Sequence, residues 1–389
     1  MNQIIVCQEI MDNFADETGV AKNDKGSRYL WTDAFAVFNY LELFRQTSRY
    51  DYLDYTLRLI DQVHNVLGKH RSDDLREGWI SGLNEAEGKR HPTIGGLRIG
   101  KEMAERKVNQ TMDPALEWDR DGQYFHYLSK WMLALDCASR IASNSNYHKW
   151  AMELGKTAHA KFMYVNPKDG SKQMYWKMSI DLTYPLVESM GQHDPLEGLI
   201  TYLQLQTRLP DSRKISNELS LNSEIEEFFE MCEGLSWVTT DTLGIGGMLV
   251  NSCVLMHLMQ EKYYGKYESL LLQILEEIEF GLNSIIHADI FKLPASYRLA
   301  FRELGLSIGL HALELMENLV SRKMEYAGNQ AKINHRVDRL LVYKLLANQI
   351  EEYWLQPENQ KMKSWIDHYN INTVMLATSL APRTFILCD

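Results

Sequence analysis

Two kinds of helix alternate along this chain, and that alternation constrains the fold more than any other feature. Alternating β-branched runs bounded by turns, the mark of strands, are nearly absent. Apolar residues recur instead at helical spacing over most of the length. One kind of helix is wet on one side. Tyr52, Leu53, Leu57, Leu59, Ile60, Val63 and Leu67 form an apolar stripe with charged residues between them. The segment 267–286 repeats the pattern through Leu271, Ile274, Leu275, Ile278 and Leu282, and 337–354 through Leu341, Leu345 and Ile350. Such stripes belong to outer helices. The other kind is richer in aromatic, glycine and small residues and is apolar over more of its circumference. Segments of this kind begin near Tyr29, Trp118, Pro195, Leu243, Tyr297 and Ile366. Outer-type helices lie before and between them, near 3–15, 51–68, 147–163, 222–233, 266–287 and 333–355. Six inner and six outer helices in strict alternation predict an all-α fold, an (α/α)6 toroid formed as one domain over residues 1–389. The N-terminal helix would close the ring beside the last inner helix. Hairpins that cannot bury their faces alone gain by stacking into a continuous core. A two-domain helical protein and an open solenoid are the alternatives.

One connection breaks the pattern. From Lys69 to Ala115 there is no clear period, and the stretch holds Gly78, Gly82, Gly88, Gly95, Gly96 and Gly100. It also carries Trp79, His91, Arg98, Lys101 and Arg106. Long loops of this kind inside compact domains are commonly functional, so 69–115 is expected to be a lid-like insertion over an active site. A surface excursion is the plainer reading.

The charge balance narrows the partners. Forty-one basic against 52 acidic residues leave a net charge of −11. Nucleic acids and anionic membranes call for a basic face, so neither is an expected partner. The five cysteines are odd in number and include no CxxC pair, which argues against a disulfide framework and for a reducing compartment. The N-terminal residues lack the basic region of a signal peptide, and no uninterrupted apolar run reaches the ~18 residues of a membrane span. A cytoplasmic location is expected.

Five of the six inner helices concentrate polar and aromatic residues at their starts; the fourth is poorer, with Asp241 before Gly244, Gly246 and Gly247. The first carries Arg28, Tyr29, Trp31 and Asp33. The second carries Glu117, Trp118, Asp119, Arg120, Asp121, Tyr124 and His126. Lys177, Asp181, His193 and Asp194 mark the third, Tyr297, Arg298, Arg302 and Glu303 the fifth, and Trp365, Asp367, His368, Tyr369, Asn370 and Asn372 the sixth. Inner helices of a toroid run roughly parallel, so these clusters would meet at one mouth. Aromatic rings beside carboxylates and imidazoles suit a small saccharide, stacking on its apolar face and bonding its hydroxyls. N-capping accounts for Asp194, which precedes Pro195. It does not account for Trp31, Trp118 and Trp365, nor for Arg28, Arg298 and Arg302, which the helix dipole disfavours there.

These features resemble the six-hairpin glycosidase-like superfamily over nearly the whole chain. Two strings resemble its unsaturated glucuronyl hydrolases: Asp119-Arg120-Asp121-Gly122-Gln123-Tyr124-Phe125, and Ser179-Ile180-Asp181-Leu182-Thr183-Tyr184-Pro185-Leu186. The resemblance implies a proton-donating aspartate, Asp181, assisted by Asp121 or Asp119. A second resemblance is to the N-acylglucosamine and cellobiose 2-epimerases. Gln192-His193-Asp194-Pro195-Leu196-Glu197 and Trp365-Ile366-Asp367-His368-Tyr369 are similar to their His-bearing helix starts, which implies His193 and His368 as acid and base.

Hydrolysis of a glycosidic bond needs one carboxyl to give a proton and another to activate water or steady charge. Asp181 lies among Ile180, Leu182 and Leu186, where desolvation is expected to raise its pKa. Asp121, beside Arg120, is expected to stay ionised. His126 would face inward with Trp118 and Tyr124. Arg298 and Arg302 lie four apart on one helix face; with Arg98 or Lys101 they could hold an acidic sugar's carboxylate, or Arg298 could pair with Glu303 instead. No HExxH, Walker loop or strand-borne glycine fingerprint is present, so no metal or nucleotide cofactor is expected. Gly244-Ile245-Gly246-Gly247 reads as a close helix contact. The chain thus reads as a glycoside hydrolase acting on a small saccharide. A histidine-based sugar epimerase and a non-catalytic binding toroid are the alternatives.

Overall fold

The computed structural model describes residues 3–22, 24, 26–208, 219–261, 265–321 and 329–388. Its principal helices are α1 (Gln3–Glu17), α2 (Leu30–Thr47), α3 (Tyr50–Leu67), α4 (Phe125–Ile141), α5 (Ser145–Phe162), α6 (Asp194–Thr207), α7 (Asn222–Cys232), α8 (Thr242–Glu261), α9 (Glu268–His287), α10 (Ala300–Ser321), α11 (Gln330–Leu340), α12 (Lys344–Trp354) and α13 (Tyr369–Leu380). The outer-type segment expected over 333–355 is two helices, α11 and α12, joined by a 3-10 turn at Leu341–Tyr343. The inner helix expected near Trp118 starts instead at Phe125, because a short strand precedes it.

The helices form two compact units. The central unit runs from Ala15 to Cys232, and the terminal unit joins Met1–Phe14 to Glu233–Asp389. In the central unit α2, α4 and α6 lie side by side, each backed by the helix that follows it, α3, α5 or α7. In the terminal unit α8, α10 and α13 form the inner row. There α8 is backed by α9, and α10 by α11 and α12. The chain's start supplies the remaining partner: the Cys7 thiol of α1 donates to the Ala377 carbonyl of α13 at 3.6 Å. The fold is therefore all-α, six helical hairpins of the (α/α)6 class, three in each unit.

The two helix types differ as the sequence implies. Along α3 the stripe Tyr52, Leu59, Ile60, Val63 and Leu67 is buried, while Asp51 and Tyr55 face solvent or its edge. Inner α2 is buried continuously from Leu30 to Leu43. Among the described residues α8 is the one helix long and apolar enough to cross a membrane, and most of it is buried within the protein. Its packing uses glycine: a Cβ on Gly246 would lie 2.1 Å from the Gly305 carbonyl oxygen of α10, and one on Gly309 2.5 Å from Gly246 Cα. The close contact read from Gly244–Gly247 is thus made through Gly246.

Short strands sit at the starts of α4 and α6. β1 (Gln123–Tyr124), β4 (Lys177–Met178) and β5 (Pro185–Val187) form an antiparallel sheet in the order β1-β4-β5, and β2 (Met163–Val165) pairs with β3 (Lys172–Met174). The 69–115 stretch is tied down at many points. Leu30 N–H donates to the Ile99 carbonyl and Ile99 N–H to that of Gly122. The Thr93 hydroxyl donates to the Trp150 carbonyl and that of Thr157 to Ile94. Trp79, Leu97 and Ile99 are buried.

Candidate active site

The starts of α2, α4 and α6 bring an aromatic wall and an acid group together in the central unit. Tyr124, extended at the end of β1, stacks on His126 at 5.2 Å between ring centroids and packs on Tyr127 at 5.2 Å and Trp176 at 5.1 Å. Trp31 of α2 lies 5.1 Å from Tyr127 and 6.0 Å from His126. The Tyr29 and Tyr127 hydroxyls share a 2.7 Å hydrogen bond. Trp118 stands edge-on to Trp176 at 4.8 Å and is 54% exposed.

The acids come from the first turn of α6. Asp194 is 6% exposed, and its Oδ1 lies 3.6 Å from His126 Nδ1. Burial pushes the Asp194 carboxyl up to about 7, with the negative charge of Glu197 adding to the effect. Burial pushes His126 down to about 4. Between about pH 4 and pH 7 the two therefore face each other mostly without charge, not as an ion pair. Glu197, one turn along α6, behaves oppositely. Burial acts upward on it, but the Lys130 ammonium and hydrogen bonds from Lys130 and Ser129 outweigh that and hold its carboxyl below the usual range. Three buried polar atoms on this wall have no hydrogen-bond partner in the protein: Trp31 Nε1, His126 Nδ1 and Asp194 Oδ2. Such atoms are costly to leave unmet and suit a polar ligand.

The aspartates expected to do the chemistry are committed elsewhere. Asp121 is fully buried; Arg98 and Arg71 donate to its Oδ2, and the N–H groups of Gly100 and Gly122 to its Oδ1. It anchors the 69–115 stretch and offers no lone pair to a substrate. Asp181 sits in the turn between β4 and β5, not on a helix. Burial acts upward on its carboxyl, but hydrogen bonds from Thr183 and Ser179 and the Arg76 guanidinium at 2.7 Å hold it below the usual range. The raised pKa expected of an acid at Asp181 is corrected: its partial burial raises the carboxyl, but the hydrogen bonds and the Arg76 charge together outweigh that. Asp119 is exposed. His193 holds the N-cap position of α6, and its carbonyl accepts the Glu197 N–H.

Several expected binding residues are structural. Arg28 and Asp33 form a buried pair 3.6 Å apart, with Asp33 also accepting the Tyr29 N–H. In the terminal unit Arg298 makes a two-point contact with Glu303 at 2.7 and 2.5 Å and lies over the Tyr353 ring. Glu303 also accepts Trp354 Nε1–H. That pair neutralises itself in the core, so the alternative read for Arg298 holds and its carboxylate-binding role does not. Trp365 is buried against Trp354. Arg302 pairs with Asp241 at 2.6 Å near the surface. His368 is exposed, edge-on to Phe301 at 5.4 Å.

Sequence reasoning missed Tyr127, Trp176, Lys130 and Glu197, and took Asp194 for a cap. The signal available was spacing: His126 and Lys130 are four apart on one helix, and Asp194 and Glu197 three apart on another, so each pair shares a face.

No family model and no curated protein sequence matches the chain. Among solved structures, cellobiose 2-epimerase from Bacillus thermoamylovorans is similar over 92% of this chain and 89% of its own, at 11% identity and TM-score 0.46. The GH76 α-mannanase of Bacteroides thetaiotaomicron is similar over 92% and 87%, at 9% identity and TM-score 0.49. Cellobiose 2-epimerase from Spirochaeta thermophila is similar over 92% and 88%, at 12% identity and TM-score 0.48.

Proposed function

We propose that this chain is a carbohydrate-active enzyme, acting on a small saccharide, whose proton-transfer group is Asp194, Glu197 and His126. The observation that carries the reading is a pair of carboxyls one helical turn apart with opposite titration. Asp194 is pushed up to about 7 and keeps one oxygen without a protein partner. Glu197 is held ionised by Lys130 and Ser129. Environments that drive two carboxyls apart mark an acid and its partner. Asp194 gives its proton to the glycosidic oxygen as its bond to the sugar carbon breaks, Glu197 steadies the positive charge that develops on the sugar, and water adds to that carbon and returns a proton to Asp194. Trp31, Tyr124, Tyr127 and Trp176 supply rings for the sugar's apolar face.

One observation favours a second reading, a sugar epimerase. His126 is neutral near pH 7, and its Nδ1 has no hydrogen-bond partner. Such an imidazole can take the carbon-bound proton and become an imidazolium, leaving an enolate, while protonated Asp194 gives a proton to the same carbon from the other face and is left as the carboxylate.

Incubation with neutral and acidic disaccharides in deuterated water, followed by NMR, reports bond cleavage and carbon–deuterium exchange together. Cleavage supports the hydrolase, and exchange without cleavage the epimerase. Asp194→Asn is expected to slow turnover about 100-fold or more. Full activity in that variant would sink both readings.

A further inference from the structure

The last turn of α4 carries a second cluster of charge, outside the site above. Arg140 lies fourteen residues after His126 on that helix, about 21 Å along its axis. The cluster is built on Asp136, which is 1% exposed. Burial acts upward on its carboxyl, but a hydrogen bond from His148 and the Arg208 charge outweigh that and hold it below the usual range. An ionised carboxylate only accepts, so His148 of α5 donates its Nδ1–H to Asp136 Oδ1, at 2.7 Å. Arg208, just past α6, donates to Oδ2. Arg140 is left over. Its Nε stops 3.9 Å from Oδ2, beyond hydrogen-bond length. Arg140 Nε and Nη2 are buried and have no hydrogen-bond partner in the protein, and neither has His148 Nε2. Among the described residues Asp136 is the one acid paired with Arg140 or with His148. Buried polar atoms left unmet are costly and call for a partner. These three also have a chemical shape. Nε–H and Nη2–H are the side edge of the guanidinium, the fork that takes two oxygens of one oxyanion. With its hydrogen on Nδ1, the neutral His148 ring presents a lone pair at Nε2. A phosphate answers all three atoms: two of its oxygens accept from the fork, and its hydroxyl donates to Nε2. A carboxylate offers the two oxygens and no hydrogen. The Arg140 side chain is 30% exposed, so the cluster is open to solvent.

We propose that Arg140 and His148 form a phosphate-binding site at the opposite end of α4 from the aromatic wall, with Asp136 holding the imidazole in place. The inference does not rest on the saccharide reading, since no residue of the cluster belongs to that site.

The test is an NMR titration of the full chain, its histidine rings isotope-labelled, with inorganic phosphate, phenyl phosphate and acetate at fixed pH and ionic strength. His148→Gln and His126→Gln identify the two ring signals that matter. In the wild type inorganic phosphate or phenyl phosphate is expected to move the His148 signal to saturation, to leave the His126 signal in place, and to bind about tenfold more tightly than acetate, as an added charge-assisted contact provides. The better bound of the two distinguishes free phosphate from a phosphate ester. Arg140→Gln is expected to weaken that binding about tenfold or more, and Arg140→Lys, which keeps the charge and loses the fork, to weaken it as well. Circular dichroism confirms that both variants fold. A His148 signal that neither phosphate moves, acetate bound as tightly as either, or undiminished binding in folded Arg140→Gln overturns the site. Should the variants fail to fold, the wild-type titration decides by itself. Each of these outcomes leaves the saccharide reading untouched.

Discussion

A carboxyl that keeps its proton until about pH 7 ties both turnover and folding to pH. Asp194 must be protonated to act as the acid, so the hydrolytic rate is expected to fall as pH rises through about 7, in a pH–rate profile on any identified substrate. The stability effect has the same sign. The folded pKa is raised above 3.8, so the folded state holds the extra proton; the stability is fully present below about 4 and is lost as pH rises through about 7. Asp33, raised by burial to about 6, acts alike, whereas His126 and His64, lowered by burial to about 4 and about 3, add stability as pH rises toward 6.5. The Asp194 share is isolated by difference. Chemical denaturation of wild type and Asp194→Asn at pH 4 and pH 8 is expected to show the wild type losing stability relative to the variant at the higher pH. At this scale the sequence was legible for type and poor for commitment. It placed tryptophans, tyrosines and acids at helix starts. It offered Glu303 as a partner for Arg298, five residues away in sequence, but it could not tell that Asp121 is bound by Arg98 and Arg71, which packing brings from the preceding stretch.

Elements were far more readable than residues. Inner and outer helices were called within a few residues because each is long enough to show a 3.6-residue period. The strands were invisible since each has two or three residues, too few to alternate. That is why the start of α4 was placed at Trp118 instead of Phe125. The glycine seam between α8 and α10 gives a paired prediction. Gly246→Ala puts a methyl into backbone that cannot yield, and is expected to cost about 1–3 kcal/mol or more in urea denaturation. Gly247→Ala, one residue on, meets nothing within 4 Å and is expected to be neutral or to stabilise by up to about 1 kcal/mol through helix propensity. If both variants lose stability equally, the seam is not the reason for these glycines.

At the scale of the whole molecule, the chain's start belongs to the unit made by its end. Cys7, Met11 and Phe14 are buried, and burial of a side chain of the Met or Phe kind is worth about 1.5–3 kcal/mol. Removing residues 1–14 is therefore expected to strip several kcal/mol from the terminal unit, and amide hydrogen exchange in α13 should accelerate; unchanged protection there would refute the role given to α1. The six-hairpin count was legible because it depends only on how many helices of each type alternate. The grouping of residues 1–14 with 233–389 follows from the same alternation, in which the first helix is an outer one without a preceding inner partner. During synthesis this order has a cost in time. Helix α1 leaves the ribosome well before α13, which is complete only at Leu380. At about 5–20 residues per second, α1 waits tens of seconds for that partner. Its apolar stripe is meanwhile open to a chaperone, or to the α1 of another nascent chain.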